Sequence, residues 1–270
     1  MGSGSGPPTL PDIAMTDERW DFYPCRVDDA PASILVAFHF ESGPRPTGAD
    51  TLHVVGLEMA DPGEHGMGAQ DEAEARWPAE DALVADLAGA GFVHVGRLRN
   101  QGTWQISFYG PASGTDRFLR TAEEHGKRVG RGSWTHVKAD PDWSYFETFL
   151  LPDVERRHWM KDRALVETLE ENGDRLVRAR TVDHDLSFPS SEAFELFFEA
   201  AELRGFRRGP SAAAEAADDP FRVTVQRDDR VELEHIHRVV MDLVELAAPY
   251  DGTHTGWGCK TMFQNFGAYA

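Results

Sequence analysis

The feature that most limits what this chain can fold into is an order of apolar periodicities that occurs twice. Apolar residues alternate along a half-buried strand and recur about every 3.6 positions along a helix, so a succession of periods is a succession of elements. In the first half, residues 52–57 (Leu-His-Val-Val-Gly-Leu) alternate like a strand. Pro78 suits a first helical position, with Glu80 and Asp81 in the first turn. Leu83, Val84 and Leu87 make that helix's apolar stripe, and Gly89 and Gly91 close it. Residues 92–96 and 104–109 read as a hairpin turned at Asn100-Gln101-Gly102. Thr115 is placed to cap a helix through Phe118, Leu119 and Ala122, stopped by Gly126, and residues 133–137 read as a closing strand.

The second half repeats this β-α-β-β-α-β order. Residues 176–182 read as a strand, and Ser190 or Ser191 caps a helix whose Phe194, Phe197, Phe198 and Ala201 share a face. Gly205 ends it. A short strand from Phe206, an Ala-rich loop over 210–220 and a strand over 221–226 follow. The clearest period in the chain is Leu233, Ile236, Val240, Leu243, Val244 and Ala247, and residues 257–262 make the last strand. This order predicts an α+β protein of two tandem ferredoxin-like (βαββαβ) domains, antiparallel sheets with helices on one face. The expected boundaries are a flexible leader or tag over 1–16, a first domain over 17–150, a linking helix within 151–172 ended by Asn172-Gly173, and a second domain over 173–270. Residues 20–23 and 31–36 add a hairpin to the first domain.

Charge narrows the partners. The chain carries 27 Lys and Arg against 46 Asp and Glu, a net charge of −19, and both halves are net negative. That argues against direct nucleic-acid binding, which uses Lys and Arg to neutralise phosphates, and suits either a basic partner or solubility alone. Two cysteines, Cys25 and Cys259, make no disulfide framework, which fits a reducing cytoplasm. No apolar run approaches the ~18 residues of a membrane span. The start, Met-Gly-Ser-Gly-Ser-Gly-Pro-Pro, lacks the regions of a secretory signal.

Two short signatures flank the second helical pattern. One is Arg180-Thr181-Val182-Asp183-His184 followed by Phe188; the other is Tyr250-Asp251-Gly252 with Trp257 close behind. With the turn Gly205-Phe206 between them, residues 162–262 resemble the bacterial RraB family, regulators of ribonuclease E activity. In that family the Trp usually follows Tyr-Asp-Gly at once, whereas here Thr253-His254-Thr255-Gly256 intervenes. The resemblance implies a ferredoxin-like second domain without catalytic activity or cofactor, which inhibits ribonuclease E by docking on its Arg-rich, non-catalytic scaffold region. Residues 17–150, through Trp20-Asp21-Phe22-Tyr23, Gly102 and Phe108-Tyr109, resemble a family known only as a domain of unknown function, which implies architecture and no chemistry.

Each chemistry-bearing residue also has a plainer role open to it. Asp183-His184-Asp185 could form an acid–base unit. Consecutive strand residues point to opposite faces, however, so both aspartates share one face and His184 takes the other. The plainer reading is a strand end at which Asp183 accepts hydrogen bonds from backbone or Arg180. His235 and His237, with His254 and Cys259, are zinc-type ligands, yet residues two apart on a helix lie about 200° apart. The run Gly126-Lys127-Arg128-Val129-Gly130-Arg131-Gly132 is locally basic and rich in glycine, but it follows a helix and lacks the phosphate-loop order, so it reads as a turn. No G-x-S-x-G elbow occurs. Gly252 permits a tight turn, with Trp257 as core or, with Tyr250, as a surface anchor.

Three functions remain open. The first is an inhibitor of ribonuclease E whose protein-binding candidates are Asp183, Asp185, Glu192, Glu195, Glu199, Tyr250, Asp251 and Trp257, with Arg180, His184, Phe188, Gly205, Phe206 and Gly252 as structural motif positions. The second is a binding module of the same fold with another protein or peptide target. The third is a hydrolase or metal enzyme using His184 and Asp183.

Overall fold

The computed structural model describes residues 19–210 and 221–262. The expected leader and residues 211–220 of the Ala-rich loop lie outside the described residues. The chain divides into two compact units, one ending at Leu151 and the other beginning at Pro152.

The first unit contains β1 (Trp20–Val27), β2 (Ala30–Ala37), α1 (His39–Ser42), β3 (Thr51–Glu58), α2 (Gln70–Ala88), β4 (Val93–Asn100), β5 (Thr103–Gly110), α3 (Thr115–Val129) and β6 (Ser133–Ala139). Its antiparallel sheet has the order β1-β2-β4-β5-β3-β6. The last four strands and the helices α2 and α3 form the ferredoxin-like βαββαβ, and the β1–β2 hairpin extends the edge at β4. Both hairpins turn on two residues of positive φ, Asp28 and Asp29 (49° and 60°) and Gln101 and Gly102 (47° and 74°), the pattern whose twist matches paired strands.

One face of this sheet packs on α2 and α3 through Val55, Leu57, Leu83, Leu87, Trp104, Ile106, Phe108 and Phe118. The other face is covered by residues 140–151, which include a π-turn at Phe146–Leu150. There Trp143 stacks on Tyr109 with centroids 4.1 Å apart and planes at 5°, and the Tyr23 hydroxyl donates to the Leu150 carbonyl at 2.9 Å. Gly96 admits this cover, since a Cβ there would sit 2.9 Å from a Leu150 methyl. Covered on both sides, β3 is buried from Thr51 through Leu57.

Three expectations for this unit change. The first long helix starts at Gln70, and Pro78 lies inside it. A proline there removes one helical hydrogen bond, and the preceding turns are held instead by Glu72, which accepts from the backbone N–H of Ala60 and Asp61. Thr115 does not cap α3; its hydroxyl lies 3.1 Å from His53 Nε2. Gly126 does not stop α3 either, because the left-handed residue that ends it is Gly130, at φ 71°.

The second unit contains α4 (Val154–Glu171), β7 (Arg180–Phe188), α5 (Ser191–Glu202), β8 (Arg207–Arg208), β9 (Phe221–Asp229), α6 (Leu233–Ala247) and β10 (Thr253–Cys259). The antiparallel sheet order β10-β7-β9-β8 is again ferredoxin-like. Ser190 caps α5 by accepting from Ala193 N–H, and Asp153 caps α4 by accepting from Arg156 N–H. The helix read as a linker is α4, and it packs against α6 as a third helix of this unit. Its Val166 and Leu169 join the core with Val182, Leu186, Phe188, Phe194, Phe197, Val225, Ile236, Val240 and Leu243. The first strand of the unit begins at Arg180, not at Leu176, because Leu176 has φ 65° and belongs to a turn. The last strand begins at Thr253, four residues before Trp257.

Candidate functional site

The site is built around β7. Arg180, Val182, His184, Leu186 and Phe188 are buried, while Thr181, Asp183, Asp185 and Ser187 face outward and are half-buried or exposed. Asp183 and Asp185 thus stand mid-strand on the open face rather than at a strand end. The Gln226 amide donates to Asp183 at 2.6 Å, and the Thr224 hydroxyl donates to Asp185 at 2.7 Å.

Arg180 does not reach Asp183, because residues three apart on a strand lie on opposite faces. It forms a bidentate ion pair with buried Asp174 in the turn before β7. Asp174 also accepts from Met262 N–H at 2.7 Å, and Arg180 donates to the Lys260 carbonyl at 3.3 Å. The pair therefore fastens the chain beyond β10 to the entry of β7. Its guanidinium holds the Asp174 carboxyl down at about 2 despite burial.

Phe188 closes the other end of the strand. Its ring packs on Phe194 and Phe197, with centroids 5.8 and 5.0 Å away. Gly252 lies flat against it, since a Cβ at Gly252 would come within 2.2 Å of the Phe188 ring. The left-handed residue of this turn is Asp251, at φ 53°, so Gly252 serves close approach rather than backbone freedom. Gly205, at φ 84°, ends α5 and sends Phe206 into the core. Residues 159–259 match the family model described as "Regulator of ribonuclease activity B". The second unit is an RraB-type domain. Residues 18–151 match a family of unknown function, DUF695. No curated protein gives a significant match. One solved structure, described as "putative glycine cleavage system transcriptional repressor", aligns over 78% of this chain and 98% of its own, at 13% identity and a TM-score of 0.23.

Within the RraB-type unit, His184 is fully buried, and its Nδ1 lies 3.4 Å from His254 Nε2. His184 Nε2 and His254 Nδ1 have no partner among the described residues. Burial pushes the two imidazoles down to about 4 and about 3, so both are neutral near pH 7. Asp183 is on the far side of the strand from His184. The two side chains therefore do not face a common position.

The remaining zinc-type candidates also part. His235 Nε2 pairs with Asp229 at 2.9 Å, and His237 Nδ1 with Asp162 at 2.8 Å. Among the described residues, no three His, Cys, Asp or Glu side chains are arranged to hold a metal ion. Cys25 and Cys259 form no disulfide, and burial pushes the thiol of Cys259 up.

Of the two roles open to Trp257, core and surface anchor, its burial fits the core. It is 8% exposed, and its indole N–H donates to Asp162 at 2.9 Å. Asp162, itself 2% exposed, thereby ties α4 to both α6 and β10. Asp162 and Asp174 belong to no motif of the sequence. A signal for the first existed: Asp162, Val166 and Leu169 fall at i, i+4 and i+7, so a carboxylate occupies a core position of the stripe.

The other candidates are on the surface of the RraB-type unit. Glu192, Glu195 and Glu199 are exposed along α5, Asp251 is exposed and Tyr250 half-buried. Glu195 is engaged by Arg208, whereas Glu192 and Glu199 are candidates in no ion pair among the described residues. The open sheet face aligns Asp183 with Gln226, Asp185 with Thr224 and Ser187 with Arg222. A hollow of about 530 Å³ lies over Asp185, Ser187, Arg222, Thr224 and Thr255. Residues 253–256, the stretch that departs from the family's spacing, form the start of β10 with a bulge between His254 and Gly256.

Proposed function

We propose that the RraB-type unit is a non-catalytic regulator that docks on a basic segment of ribonuclease E and lowers its activity. The observation that carries this reading is the family match over residues 159–259. Two features support it. Two polar residues of the first signature are spent on holding the unit together, with Arg180 in an ion pair and His184 sealed in the core. The carboxylates left at the surface, Asp183, Asp185, Glu192 and Glu199, suit an Arg-rich partner, and a chain of net charge −19 attracts one over distance. Tyr250 and Asp251 are proposed as edge contacts.

Purified protein is passed over immobilised ribonuclease E from the same cell at low salt and again at high salt. Retention that weakens as salt rises, with slowed RNA cleavage in solution, is the expected result. No retention at low salt would sink this partner. A second reading, the same fold with a different protein target, is favoured by the bulge at 253–256, where the Thr255 hydroxyl donates to the Asp185 carbonyl beside a proposed contact. Capture of another protein that Asp185→Lys abolishes, with no retention of ribonuclease E, would establish it.

A further inference from the structure

The first unit contains a second place with chemistry of its own. A cavity of about 470 Å³ lies between α2 and α3, and its charged lining side chains include Arg76, Arg128 and Arg131. Alanines of α2, Pro78 and Val129 form an apolar wall. Arg76 is 5% exposed. Its Nε donates to Glu72 at 2.7 Å and its Nη2 to the Glu58 carbonyl, while Nη1 has no partner among the described residues. A buried guanidinium nitrogen without an acceptor is costly, and folded proteins leave few such groups without a reason.

The acceptors nearby are already used. Glu72 takes Arg76 and the N–H groups of Ala60 and Asp61. Burial alone would raise its carboxyl, yet these hydrogen bonds hold it below its ordinary value. Glu72 therefore offsets Arg76, and Arg128 and Arg131 remain as two positive charges with no carboxylate partner among the described residues. Arg128 Nη1 sits 3.5 Å from His125 Nε2, which also meets Asp86 at 2.8 Å. In a chain of net charge −19 this is a local reversal of sign.

The glycine-rich run over residues 126–132 places these arginines. Gly130 caps α3 at φ 71° and turns the chain back. Gly126 and Gly132 let that return run tight, because a Cβ would come within 2.4 Å of the Ser133 hydroxyl at the first and 2.3 Å of the Glu58 carboxyl carbon at the second. Contrary to the turn its residues suggest, residues 126–129 are the last turn of α3, and only Gly130, Arg131 and Gly132 lead the chain back, with Arg128 and Arg131 at the cavity wall.

We infer that this cavity binds a small organic phosphate, with Arg76, Arg128 and Arg131 as its anion-binding groups. Guanidinium forks match phosphate oxygens, and a phosphate monoester brings close to two negative charges at neutral pH, which balances the two uncompensated arginines. The cavity is of the size that holds small molecules, roughly 300–1,000 Å³, and its apolar wall suits the organic part. This site is independent of the RraB-type unit and of its proposed partner.

The test titrates the full chain with phenyl phosphate, inorganic phosphate and benzoate at constant ionic strength, by calorimetry and by phosphorus NMR for the two phosphates. Saturable binding of phenyl phosphate, tighter than either other probe, is expected. Arg128→Gln with Arg131→Gln should weaken it roughly tenfold or more while leaving the circular dichroism unchanged. These arginines are at the surface, so the variant avoids the folding risk of changing Arg76. Absence of saturable binding, or equal binding to the double variant, overturns the site. Benzoate binding as tightly overturns the phosphate assignment, and inorganic phosphate binding as tightly overturns the organic part.

Discussion

Arg180 and Asp174 illustrate how a motif residue can look functional and be structural. Removing one member of a buried ion pair strands the other, typically at about 3–5 kcal/mol. Asp174→Asn should therefore lower the urea midpoint of the second unit by an amount equivalent to a few kcal/mol, and an unchanged midpoint would refute the clamp. The buried histidines set the acid response. An unfolded His takes up a proton near pH 6.5, whereas His184 and His254 resist until about 4 and about 3. Below pH 6.5 the unfolded chain binds protons that the folded one refuses, so stability falls as pH drops from 6.5 toward those values and is level above 6.5. At most, His184 contributes roughly 3 and His254 roughly 5 kcal/mol to this loss. Asp174 adds a further loss only between pH 3.8 and about 2. His254→Leu should flatten the dependence between pH 6.5 and 4 in denaturation measured at several pH values; an equally steep curve would remove His254 from the account.

At the scale of elements, α5 separates packing from recognition. Phe194, Phe197 and Phe198 face the core, while Glu192 and Glu199 face out. Reversing both charges, Glu192→Lys with Glu199→Lys, should change stability by less than about 0.5 kcal/mol per site, the usual effect at exposed positions. The same change should weaken binding to a basic partner and reduce the salt dependence. Binding that stays the same in a titration would exclude α5 from the contact surface. Element edges were the least legible part. Pro78 reads as a helix start because proline favours that position, yet α2 begins at Gln70, upstream contacts of Glu72 and Arg76 having outweighed the local preference. Gly126 reads as a stop for the same kind of reason, and the helix runs on to Gly130.

For the whole molecule, two sheets with separate cores imply two cooperative units. Residues 152–270 expressed alone should fold, showing helix and strand by circular dichroism and one sharp thermal transition. A fragment without cooperative melting would show that the RraB-type unit cannot stand without the first. The strong negative charge acts at this scale as well, since it sets solubility and long-range attraction rather than fold.

The sequence alone determined the order of elements and hence the two ferredoxin-like sheets, because alternation and 3.6-residue stripes are local records of which side of each segment is buried. It also determined that His184 and its flanking aspartates point apart. Only the tertiary structure decided who meets whom: Arg180 with Asp174, Trp257 and His237 with Asp162, Phe188 with Gly252, and Arg76 with a cavity wall shared with Arg128 and Arg131. Those partners are brought together by packing across elements, and no period along the chain encodes the distance between side chains on different ones.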